Sequence, residues 1–94
     1  MEILVDNEYI KLEVEFHDGV PLLHLKVHKW SHNILKKILF PLWHQVLANL
    51  KGRGHDVVLA IYREDQPKIG KFHAIMGMHE ADRVKGFVIS RRWL

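Results

Sequence analysis

The chain contains no cysteine, which excludes a disulfide framework, a thiolate nucleophile and a cysteine-ligated zinc site. Long hydrophobic runs are also missing, since no stretch approaches the roughly 18 apolar residues that a membrane span requires. The start, MEILVDNEYI, carries no basic leader followed by an apolar run, so a cytoplasmic location without a membrane partner is expected. Length sets a further exclusion. Ninety-four residues leave room for one domain, residues 1–94, and a chain of this size buries only about 60 to 65% of its unfolded surface, so most apolar positions must serve a single core. Charge of one sign does not dominate either: 14 Lys and Arg stand against 11 Asp and Glu, a net charge of +3. The basic pairs Lys36/Lys37, Lys51/Arg53, Arg83/Lys85 and Arg91/Arg92 are scattered over several segments. That pattern reads as solvated surface, and nucleic acid is not the expected partner.

What is present is ordinary for a folded soluble domain, 48% apolar and 27% charged residues, too apolar for disorder. From Tyr9 to Phe16, apolar Ile10, Leu12, Val14 and Phe16 alternate with Tyr9, Lys11, Glu13 and Glu15, the pattern of a half-buried strand. His17-Asp18-Gly19 then supplies turn chemistry, and Leu23, Leu25 and Val27 alternate against His24, Lys26 and His28, which predicts an antiparallel hairpin. A shorter strand at Ile3 to Val5 is expected to precede it.

From Ser31 the period becomes helical, with Ser31 as N-cap, a broad stripe from Ile34 and Leu35 through Trp43 to Leu50, and Gly52 as the stop. Pro41 falls inside this helix and lacks the N–H of an interior residue, so a kink or a junction is expected near Lys37 to Pro41. Val57 to Tyr62, VVLAIY, is continuously apolar, as expected of a central strand covered on both faces. On that reading Leu59→Ala costs about 2 to 5 kcal/mol. Gln66 to Met78, QPKIGKFHAIMGM, carries a second helix: Pro67 suits the first turn, Ile69, Phe72 and Met76 recur at three- and four-residue spacing, and Gly77 suits a left-handed C′ position with Met78 packing back. Strands over about Met78 to Asp82 and Phe87 to Trp93 complete the order β(β)β-α-β-α-β-β, a mixed α+β sheet of the α/β class.

This order, with the phrase KFHAIMGM, resembles the C-terminal two-thirds of the GNAT (Gcn5-related N-acetyltransferase) fold without its usual first strand and first two helices. Phe72 and Gly77 match the family's second helix, where an asparagine, a phenylalanine-tyrosine pair and a leucine-glycine-phenylalanine ending are common. Gln66, His73, Met76 and Met78 stand at the other positions. The tryptophan before the long helix, the lysine-rich helix start and the glycine-ended second helix also resemble truncated GNAT-like proteins of podoviruses. The resemblance implies acetyl-CoA as cofactor. The family's pyrophosphate loop, however, has glycines before the long helix, and Lys29-Trp30-Ser31-His32-Asn33-Ile34-Leu35-Lys36 has none. Lys29, Ser31, His32, Asn33 and Lys36 remain as residues to meet a phosphate at the helix N-terminus.

For catalysis, His73 falls at the position of the family's acidic tyrosine, and an imidazole with a pKa of about 6.5 suits proton relay. Glu64, with Asp65 beside it just past the central strand, is the candidate base, a water being the alternative. The bland alternative for both is packing or a solvated loop. No metal is expected: His24 and His28, four apart on a strand, are separated by about 13 Å. Trp30 and Trp93, at element ends, are candidate partner-binding anchors. Two functions follow. The first is a GNAT-like protein-binding module, phage-encoded, with a degenerate acetyl-CoA site, docking on a host or virion protein in the host cytoplasm. The alternative is a minimal acetyl-CoA-dependent N-acetyltransferase. Because the N-terminal elements of the fold are missing, an uncovered sheet edge or face is also expected, and a homodimer is one way to cover it.

Overall fold

The computed structural model describes residues 1–29 and 31–94. Its six strands are β1 (Glu2–Asp6), β2 (Ile10–His17), β3 (Val20–Val27), β4 (Val57–Arg63), β5 (His79–Val84) and β6 (Phe87–Trp93). Between β3 and β4 runs a long helix in three continuous pieces, His32–Ile34, Leu35–Leu39 and Phe40–Gly52, together called α1, and between β4 and β5 runs α2 (Pro67–Ile75). The strands form one mixed sheet in the order β1-β2-β3-β4-β6-β5, in which β3 and β4 are parallel and the other neighbours antiparallel. The expected α+β sheet is therefore present, including the short first strand.

Two of the three hairpins turn through paired residues at positive φ. Asp18 (φ 51°) and Gly19 (φ 79°) join β2 to β3, and Lys85 (φ 46°) and Gly86 (φ 87°) join β5 to β6. Two consecutive left-handed residues form the turn whose twist matches that of the flanking strands. Register follows from these turns, with Val14 opposite Leu23 and Leu12 opposite Leu25 in the β2–β3 hairpin.

The helices end alike. In α2, Gly77 (φ 79°) sends its N–H to the Ala74 carbonyl at 3.0 Å and Met78 sends its own to His73 at 2.9 Å, the two bonds of a Schellman cap. In α1 the left-handed residue is Gly54 (φ 92°), and the matching bonds run from Gly54 to Lys51 at 3.0 Å and from His55 to Leu50 at 3.2 Å. Gly52, the expected stop, instead closes the last helical turn. Ser31 does cap α1, its hydroxyl accepting the Ile34 N–H at 3.2 Å. The disturbance expected at Pro41 takes the form of a π-helical turn over Leu35–Leu39, in which the Phe40 N–H reaches back five residues to the Leu35 carbonyl. Proline has no N–H to offer Lys37, so the winding widens just ahead of it. The wide turn keeps Leu35, Leu39 and Trp43, spaced four apart, all buried on one side.

That side packs on one face of the sheet. Leu39, Trp43, Val46 and Leu50 of α1 and Phe72 and Met76 of α2 share a cluster with Ile10, Leu12, Val14, Leu23 and Val58. No described helix covers the opposite face, and the smallest dimension of the molecule, 21 Å, is that of two layers about 10 Å apart with their outer side chains. This corrects the reading of β4. Val58 and Ala60 are buried beneath the helices, whereas Val57, Leu59 and Ile61 point to the other side and are only half-buried. A continuously apolar strand here means one face in the core and one left open.

Leu50 has no exposed surface, so Leu50→Ala is expected to cost about 2 to 5 kcal/mol through the cavity it leaves. Leu59→Ala, at the open face, is expected to cost well under 2 kcal/mol because surrounding water fills the vacated volume. Urea denaturation of the two variants checks the contrast. Equal losses would mean that the second face is as closely packed as the first.

Candidate functional site

The residues expected to hold acetyl-CoA lie around the N-terminus of α1. Lys29 ends the strand connection, its N–H donating to the Tyr9 carbonyl at 3.3 Å and its ammonium lying 3.6 Å from Glu8. Ser31 is committed to the helix cap, and His32, Asn33 and Lys36 are exposed on the first turns. Trp30 lies outside the described residues. Two concavities are present elsewhere. One is an apolar gap of about 10 Å³ inside the core, bordered by Ile10, Leu39, Trp43 and Phe72, room for about one water. The other is an open depression of about 320 Å³ formed by Gly77, His79, Arg91, Arg92 and Trp93. Neither is lined by the expected cofactor residues.

The candidate acid and base are separated by environment. His73, on the inner side of α2, is 3% exposed, with Nδ1 3.3 Å from the Ser90 hydroxyl and its ring edge-on to Tyr62 at 4.8 Å between centroids. Burial lowers its pKa from 6.5 to about 4, because a charged imidazole there would lose its hydration. At neutral pH the ring is neutral and enclosed. Glu64 is exposed in the β4–α2 connection, where its N–H donates to the Gly86 carbonyl at 2.9 Å and its carboxylate lies 3.5 Å from Arg83. No hydrogen bond joins Glu64 to His73 among the described residues. The structure therefore does not bring the expected acid and base together: His73 packs between α2 and β6, and Glu64 lies in a surface ion-pair group with Arg83 and Glu80. Among the described residues no group of three or more His, Asp or Glu converges on a metal position.

The open sheet face has a different character. Strand registers place side chains in transverse rows across it. Glu15, Leu22, Leu59 and Arg91 form one row from β2 to β6, because Glu15 is opposite Leu22, Leu22 opposite Leu59, and Leu59 opposite Arg91. Ile61 and Ile89 stand opposite one another in the next row. Trp93, expected as a partner anchor, ends β6 at 67% exposure with the Arg91 guanidinium over its ring at 5.0 Å. Phe87 and Val84, a facing pair, are also exposed at 43% and 46%, so the apolar surface extends to the edge strand. Contiguous exposed apolar surface rimmed by charge marks an interaction site.

The arginines divide by their partners. Arg53 pairs with Glu2 at 2.6 Å, Arg63 with Asp65 at 2.8 Å and Arg83 with Glu80 at 2.8 Å. Among the described residues, Arg91 and Arg92 have no carboxylate partner; Arg92 instead donates to the Met76 carbonyl at 2.8 Å. Sequence reasoning had anticipated an uncovered surface and Trp93 but not Leu22, Leu59, Ile61, Ile89 and Arg91. A count of two helices for six strands signals that much of the sheet is left uncovered, but not which face.

Since the unfolded chain binds a proton at His73 with a pKa near 6.5 and the folded chain only at about 4, the unfolded state holds more protons between these values. Stability from this group is therefore full above about pH 6.5 and falls as pH drops toward 4, by about 3 kcal/mol in total. Chemical denaturation from pH 7 to pH 4 is expected to show that loss, and His73→Gln to flatten it while lowering stability at pH 7. An unchanged slope in the variant would remove His73 as its source. Comparison of the chain with protein-family models, with curated proteins and with solved structures finds no match to any of them.

Proposed function

We propose that this chain is a protein-interaction module, built on a GNAT-like frame with a degenerate acetyl-CoA site, that docks on a polypeptide surface through the open face of its sheet. The observation that carries the reading is the apolar centre of that face, Leu22, Leu59, Ile61 and Ile89, half-buried with no described element above it. Arg91 and the exposed Trp93 lie at one end of it. Trp and Arg are the side chains over-represented at binding hot spots, where a partner removes water from them. The phage resemblance suggests that the module acts in a host cell, within a virion or host assembly.

Acyl transfer is the weaker reading for physical reasons. A relay histidine must exchange protons with substrate and solvent, and burial holds His73 neutral and enclosed. A pyrophosphate needs backbone N–H groups that it can approach closely, and the Ser31 side chain occupies one of those at the α1 N-terminus.

Calorimetric titration with acetyl-CoA is expected to show no binding tighter than about 50 μM, equivalent to roughly −6 kcal/mol. Acetyl transfer by the wild type, abolished by Lys36→Glu and reduced by His73→Ala, would replace this reading with the acetyltransferase one.

A further inference from the structure

Arg53, Arg63 and Arg83 each hold a carboxylate. Arg91 and Arg92 hold none among the described residues, and these two border the same open depression at the end of β6. The depression exists because β6 outruns its edge neighbour. His79, the first residue of β5, stands opposite Arg91, so Arg92 and Trp93 continue past the end of that strand, beside the α2 cap where Gly77 (φ 79°) turns the chain. Consecutive strand residues point to opposite faces, yet at this open corner both arginines line one space of about 320 Å³, together with Gly77, His79 and Trp93.

Both guanidinium groups are held in place with donors to spare. Arg92 gives one N–H to the Met76 carbonyl at 2.8 Å, one of the five that a guanidinium carries. Arg91 lies over the Trp93 ring at 5.0 Å and donates no side-chain hydrogen bond among the described residues. The carboxylates of β5 are engaged elsewhere: Glu80 lies 2.8 Å from the Arg83 guanidinium, and Asp82 accepts the Arg83 backbone N–H at 2.8 Å. Two cations therefore border a concavity that supplies no anion of its own, and their mutual repulsion is relieved only by one from outside.

We propose that this depression binds a phosphate monoester carried on a flat ring, a ligand of the nucleoside-monophosphate class, with the phosphate on Arg91 and Arg92 and the ring on Trp93. A phosphate monoester carries a charge of about −1.5 to −2 at neutral pH and three strong acceptor oxygens, which match two guanidinium forks; a carboxylate brings one charge and two oxygens. The His79 imidazole adds a further N–H donor at the rim. Trp93, 67% exposed, offers the flat surface on which a heterocycle stacks. The volume lies at the lower end of the roughly 300 to 1,000 Å³ of small-molecule sites. A polynucleotide is a poorer fit, since the other basic pairs are scattered over the chain and form no track for successive phosphates. This site is separate from the α1 N-terminus, goes beyond the docking reading and stands without it.

Calorimetric titration of the whole chain with adenosine 5′-monophosphate at low salt is expected to give a Kd of about 0.1 to 1 mM. That compound has no thioester arm, so its binding bears on the depression alone. Ribose 5-phosphate, which lacks the ring, is expected to bind about tenfold more weakly. Arg91→Gln is the main variant because its side chain touches neither the α2 cap nor the Met76 carbonyl. It is expected to weaken the nucleotide at least about tenfold with unchanged circular dichroism. Trp93→Ala is expected to bring the nucleotide down to the affinity of ribose 5-phosphate, and to leave ribose 5-phosphate itself within about threefold. Lys85→Gln removes the same charge about 20 Å away along β6 and is expected to change the affinity less than about twofold. Absence of nucleotide binding at about 5 mM overturns the proposal. Equal losses in Arg91→Gln and Lys85→Gln would show an effect of net charge and overturn the site. Equal affinity for the nucleotide and ribose 5-phosphate overturns the place of the ring on Trp93 and with it the ligand class.

Discussion

One carbonyl joins the three parts of this fold. The Met76 oxygen, at the end of α2, accepts the Trp43 indole N–H from α1 and an Arg92 guanidinium N–H from β6, each at 2.8 Å. Helix ends leave carbonyls without intrahelical partners, and at a buried position each such oxygen must be satisfied or cost stability. Here the deficit of one helix becomes the fastening point for its neighbours, and the bond from Arg92 is of the stronger, charge-assisted kind. The geometry demands Gly77. At φ 79° a side chain is strained, and a Cβ built there collides with the Arg92 guanidinium. Replacing Gly77 would therefore disturb both the cap and the bond that holds β6 against it.

Much of this was legible in the chain. The Schellman end at Gly77, the N-cap at Ser31 and the Asp18-Gly19 hairpin each depend on local chemistry that few residues supply, so the residue type announced the geometry. Gly52 misled because two glycines flank Arg53 and either can follow a helix. The choice of Gly54 is made by which residue must turn left for His55 to reach the Leu50 carbonyl at 3.2 Å, a tertiary matter of where β4 begins. The π turn was foreseeable only as a disturbance at Pro41, because the missing N–H can be accommodated by a kink, a break or a wider turn, and burial of Leu35, Leu39 and Trp43 together decides among them.

The candidate site was read less well, and β4 shows why. Val57 to Tyr62 is apolar at every position, which periodicity alone interprets as two covered faces. Whether the second face is covered depends on how many helices the rest of the chain provides and on which side they cross, and both helices here cross on the same side. The burial of His73 was illegible for a related reason. Its position on α2 was correct, but Phe72 and His73 are buried together, and nothing in the spacing of a nine-residue helix at the edge of two packed elements tells which of its flanks is sealed.

The one-sided packing links stability to function. A two-layer domain of this size has little apolar burial to spare, yet among the described residues nothing covers Leu22, Leu59, Ile61 and Ile89, which are only half-buried. Water at such a face is a standing cost, and whatever removes it adds to the folding free energy by mass action, since it binds the folded chain and not the unfolded one. Within the chain Glu15 is already held by His17 and His24, each at 3.0 Å, while Arg91 lies over the Trp93 ring at 5.0 Å and has no carboxylate partner among the described residues. A domain organised this way keeps half of the apolar side chains of its central strand, Val57, Leu59 and Ile61, outside its own core.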